Sequence, residues 1–74
     1  MSSTEKLGLK LILEKVVESD NISLRRKTIA FALELLVDLG LDANKAEEAM
    51  KAEVQSDFKT SNLWLKRIIN DLEE

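Results

Sequence analysis

Thr28-Ile29-Ala30-Phe31-Ala32-Leu33-Glu34-Leu35-Leu36-Val37 is an apolar run whose single charge is Glu34. It is far shorter than the roughly 18–20 residues that cross a bilayer. It holds neither glycine nor proline, so it reads as the middle of a helix. At about 100° per residue, Ile29, Ala32, Leu33 and Leu36 share one face, with Ala30 and Val37 on its flank. Leu24, Thr28, Phe31 and Leu35 make a second line along nearly the opposite side. A helix that is apolar on two sides is either sandwiched inside its own domain or also faces a partner. Lys27, Glu34 and Asp38 surround Phe31 on the wheel. A large apolar side chain ringed by charge has the form of an interface anchor with a polar rim.

Working outward, Ser23 is the expected N-cap of this helix, which runs from Leu24 to Leu39 and stops at Gly40, a residue free to take the left-handed C′ conformation. Upstream, Asp20-Asn21 favours a turn. Before it, a first helix is expected from about Glu5 to Ser19, capped by Ser3 or Thr4, with Leu9, Ile12, Leu13, Val16 and Val17 facing inward. Downstream, Asp42 is the expected cap of a third helix from Ala43 to Asp57 or Phe58, with Ala43, Ala46, Met50 and Val54 inward and Ala49 beside them. On its other side Glu47 and Lys51 stand four apart in the favourable order. Thr60 or Ser61 caps a fourth helix ending near Leu72, with Leu65, Ile68, Ile69 and Leu72 inward. Connections this short join neighbouring antiparallel helices. The expected fold is all-α: one domain over residues 1–74, a compact bundle of four short helices that a second copy could complete.

Composition agrees and excludes several functions. The chain has 74 residues, a 45% apolar fraction, no Cys, His, Pro or Tyr, and a net charge of −3. Such a short chain buries only about 60–65% of its unfolded surface, and a partner subunit often supplies the remainder. Without cysteine there is neither disulfide nor thiolate metal site, and without histidine the commonest general base and zinc ligand are missing. No glycine-rich phosphate loop is present, and Asp42-x-Asn44-x-Ala46 lacks the glycine and distal glutamate of an EF-hand. No catalytic residue, metal, cofactor or small-molecule substrate is expected. The opening Met1-Ser-Ser-Thr-Glu-Lys has no signal-peptide order, so the expected location is the cytoplasm.

Arg25-Arg26-Lys27 is the basic cluster. It falls in the first turn of its helix, where positive charge opposes the helix dipole. It either contacts a phosphate backbone or acidic partner, or forms ion pairs with the acidic third helix. Arg25 points nearer the core face than Lys27, so the three cannot share one flat ligand. With Lys66 and Arg67 in support, the cluster defines the alternative function, a small nucleic-acid-binding transcriptional regulator; the negative net charge speaks against it. Trp64 lies at the edge of the fourth helix's inward face, either as packing or, beside Leu63, as a binding anchor.

Leu39-Gly40-Leu41-Asp42-Ala43-Asn44-Lys45-Ala46-Glu47-Glu48-Ala49-Met50 resembles the first helix junction of ubiquitin-associated (UBA-like) domains. Those carry an apolar–Gly–apolar turn, four residues, then Ala, two residues, Ala and an apolar residue. The longer gap before Leu63 is similar to the RuvA C-terminal-domain type, and the likeness covers residues 28–72. The resemblance implies a three-helix protein-binding module whose surface is Leu39, Gly40 and Leu41 plus the end of the last helix. The chain departs from that pattern in its additional N-terminal helix and in Leu41, where the family has an aromatic residue.

Together these readings give a non-enzymatic protein–protein interaction module, an adaptor or regulatory protein. Leu24, Phe31, Leu35, Leu39, Gly40, Leu41, Leu63 and Trp64 are its partner-binding residues, and the partner is another protein or a second copy joined through the second helix.

Overall fold

The computed structural model describes residues 3–73. They form four helices: α1 (Ser3–Glu18), α2 (Ile22–Asp38), α3 (Asn44–Val54) and α4 (Phe58–Glu73). α1 packs on α2 and α4, and α3 packs on α2 and α4, so the helices form a ring with α1 opposite α3 and α2 opposite α4. The expected all-α bundle is therefore present.

The ends of α2 and α3 and the start of α4 lie where a local group takes over the unpaired backbone. The Asn21 side chain accepts a hydrogen bond from the Leu24 amide at 3.1 Å, so Asn21, two residues before the expected Ser23, is the N-cap of α2. At the other end Gly40 has φ +73°, and the amides of Gly40 and Leu41 donate to the Val37 and Leu36 carbonyls. That is a Schellman closure, with Leu41 and Leu36 as its apolar pair.

α3 ends three residues or more before the expected Asp57 or Phe58. Ser56 takes φ +60°, and the amides of Ser56 and Asp57 donate to the Glu53 and Ala52 carbonyls. The same closure thus forms on a residue whose Cβ disfavours it, a signal weaker in sequence than glycine. Asp42, the expected cap of α3, instead accepts from the Asn44 amide at 2.9 Å, and the cap position itself is Ala43. Asp57, and not Thr60 or Ser61, caps α4 by accepting from the Thr60 amide at 3.2 Å. A hydrogen bond from the Thr60 side chain, together with that backbone bond, holds the Asp57 carboxyl below the usual carboxylate range. Ser3 and Thr4 already lie within α1, and what precedes Ser3 is outside the described residues.

The core is apolar and drawn from all four helices. Leu9, Leu13 and Val16 of α1 meet Ile29, Ala32 and Leu36 of α2 and Leu65, Ile68 and Ile69 of α4. α3 contributes Ala46 and Ala49, whose small side chains let its backbone approach α4 closely. Two expected core residues are exposed, Ile12 and Val54. Ile12 lies at the margin of α1, which has neighbours on two sides only. Val54 is displaced because the buried face of α3 runs through Ala46, Ala49 and Glu53, one step around the helix.

Candidate interaction surface

The basic cluster divides on folding. Arg25 is 2% exposed and Glu53, across on α3, is 0% exposed. Nε and Nη2 of Arg25 donate to the two carboxylate oxygens of Glu53 at 2.9 and 3.0 Å, a bidentate pair. Nη1 donates to the carbonyls of Val16 at 2.6 Å and Ser19 at 2.9 Å, at the C-terminal end of α1. Nη2 also donates to Asn62 Oδ1 of α4 at 2.7 Å. A guanidinium has five N–H groups, and these five bonds occupy them all. Ser61 donates its hydroxyl to Glu53 at 2.8 Å, Asn62 donates Nδ2 to the Val17 carbonyl, and the Phe58 ring lies 5.3 Å from the guanidinium carbon.

Arg25 is therefore a clasp between all four helices, not a nucleic-acid contact. The ion pair with the third helix expected as its alternative is the arrangement that forms, but it is buried where a solvated one was expected. Periodicity marked none of Glu53, Ser61 or Asn62. An acid at the end of an alanine face reads as outward-facing until a cation on another helix is known to meet it.

Arg26 and Lys27 remain exposed on α2, and Lys66 and Arg67 are exposed on α4. The backbones of α2 and α4 do not adjoin, so the two basic pairs are not brought together. Arg67 lies over the Trp64 ring at 4.8 Å, and Trp64 is half-buried against the core. The tryptophan thus serves as packing with a guanidinium stacked on it, while Leu63 beside it is exposed. Lys51 reaches Glu48 at 3.4 Å and makes no ion pair with the expected Glu47.

The apolar stripe of α2 is different. Leu24 is 50% exposed and Phe31 48% exposed, two turns apart on one line, and Leu35 is half-buried between that line and the core. Lys27, Glu34 and Asp38 are exposed along one flank. None of these three charges is in an ion pair among the described residues. Continuing the helix, Leu39 and Leu41 are half-buried and Gly40 is exposed. Leu63 and Trp64 belong to α4 and lie apart from this stripe. Further exposed apolar residues, Leu7 and Leu11 on α1 and Val37 on α2, carried no sequence signal for an interface.

Among the described residues no group of His, Cys, Asp or Glu is placed to hold a metal ion. No described helix is long and apolar enough to cross a membrane. The chain matches no family model, no curated protein and no solved structure.

Proposed function

We propose that this chain is a non-enzymatic protein-interaction module, an adaptor or regulatory protein of the cytoplasm, that docks through the outer stripe of α2. The observation that carries the reading is the half-exposed pair Leu24 and Phe31, bordered by Lys27, Glu34 and Asp38. Burying aromatic and leucine anchors inside a charged rim is the usual energetic core of an interface. The UBA-like turn at Leu39-Gly40-Leu41 ends the same helix and is included as the C-terminal edge of the surface. The nucleic-acid alternative loses its central residue, because Arg25 has no donor left for a phosphate.

A photo-reactive residue in place of Phe31 tests this reading. Cross-linked adducts are expected from position 31 and not from position 59 on α4. Equal yields from both positions, or none from position 31 in the native host, would remove the reading. Phe31→Asp controls for folding: a side chain already half in water is expected to leave helicity intact, whereas collapse of the fold would mark it as core.

A further inference from the structure

The stripe on α2 has a charge order that selects its occupant. Lys27 lies one turn before Phe31, and Glu34 and Asp38 lie after it, all on the same flank. Leu24 and Thr28 before Phe31, and Leu35 after it, make up the other flank. At about 1.5 Å per residue, Lys27 stands about 6 Å from Phe31 along the axis. Glu34 and Asp38 stand about 4.5 and 10.5 Å away in the opposite direction.

We infer that the surface takes a second copy of the same helix, antiparallel, about a two-fold axis through Phe31. This rests on the reading of α2 as the docking face and names its partner. A two-fold axis perpendicular to the plane of two antiparallel helices keeps each flank on its own side and reverses direction along it. Lys27 of one chain then falls between Glu34 and Asp38 of the other, and the reverse holds by symmetry. On the opposite flank Leu35 falls between Thr28 and Leu24 of the other chain. Phe31 meets Phe31 on the axis. The patch is self-complementary in charge and in apolar content, which an isologous interface requires. A parallel pair, related by an axis along the helices, would instead turn the charged flank of each chain toward the apolar flank of the other, leaving Lys27, Glu34 and Asp38 without opposite charges to meet. The three charges are free of ion pairs within the chain, so the pairing has no internal competitor among the described residues.

Analytical ultracentrifugation of the full chain from about 10 µM to about 1 mM tests this, with circular dichroism on every variant. Wild type is expected to approach the dimer mass as concentration rises, and added salt is expected to weaken it. Lys27→Glu makes the flank wholly acidic, and Glu34→Lys with Asp38→Lys makes it wholly basic. Each is expected to weaken self-association about tenfold or more, with helicity unchanged because all three side chains are exposed. Mixed in equal amounts, the two variants are expected to form a heterodimer, and the chain carrying all three reversals to dimerise like wild type.

A mixture that forms no heterodimer, or a Lys27→Glu chain that dimerises as well as wild type, overturns the inference. A wild type that stays monomeric throughout overturns it too, but leaves the docking face itself to the cross-linking test at position 31. A wild-type dimer unaffected by Phe31→Asp places the self-contact elsewhere and likewise overturns the inference, the docking face again being left to the cross-linking test at position 31.

Discussion

Replacing Arg25 by methionine keeps the apolar stem of the side chain and deletes the guanidinium. Glu53 would then be a fully buried carboxylate with only the Ser61 hydroxyl left to it. The Val16 and Ser19 carbonyls and Asn62 Oδ1 would each lose a donor as well. Breaking a buried pair from one side costs about 3–5 kcal/mol, because the remaining charge stays buried. At about 0.05–0.15 kcal/mol per residue, a domain of this size has a total stability of about 4–11 kcal/mol. Arg25→Met is thus expected to remove between about a quarter and all of it. The midpoint of thermal unfolding should fall by at least about 12 °C.

Arg25→Met combined with Glu53→Met is expected to be the milder change. It removes both charges and leaves only neutral orphans, each worth about 1–3 kcal/mol at most. Urea titrations followed by far-ultraviolet circular dichroism, arranged as a double-mutant cycle, measure the difference. A single Arg25→Met change within about 0.5 kcal/mol of wild type, or a double variant worse than the sum of the singles, would refute the reasoning.

Ser56→Gly should raise stability by about 0.5–1 kcal/mol, because glycine relieves the left-handed backbone at φ +60° more than it adds unfolded-state entropy; thermal melts check this. Gly8→Ala should also stabilise by about 0.5–1 kcal/mol in thermal melts, since a Cβ there meets nothing within 4 Å and alanine is the better helix former. Asp57 has a carboxyl held low in the folded state, so its contribution is present above the unfolded carboxylate pKa and is lost as pH falls through the folded one. Melts from about pH 6 to about pH 2 should therefore show wild type losing its advantage over Asp57→Asn in acid, and a constant gap between the two would contradict this.

What sequence conveyed well was local. The spacing of Ile29, Ala32 and Leu36 fixed the inner face of α2, and Gly40 marked its end through the one conformation glycine takes freely. The wheel left Phe31 open between a covered and an outward-facing position, and the outward one, toward which its charged neighbours pointed, is the one found. Caps were less legible because several candidates stood within three residues of one another. Asn21 and Asp57 prevailed over Ser23, Thr60 and Ser61 by reaching the first free amides. The clasp was not legible. Arg25 and Glu53 are 28 positions apart, and no period links a cation at the start of one helix to an acid at the end of the next. Val54 was misplaced for the same reason, since burial of Glu53 turns α3 by one position.

The clasp also gives the bundle a direction. Arg25 gathers the C-terminal ends of α1 and α3 and the N-terminal ends of α2 and α4, so consecutive helices run in opposite senses and one pole carries the polar lock. The other pole, where Leu41 packs near Leu36, Ile68 and Leu72, is held by apolar contact and by the peripheral pairs Lys10–Glu73 and Lys45–Asp71. Local opening should begin there and travel toward Arg25, giving a graded sequence of amide-exchange lifetimes along each helix: shortest near Leu41 and longest around Val16, Arg25 and Glu53.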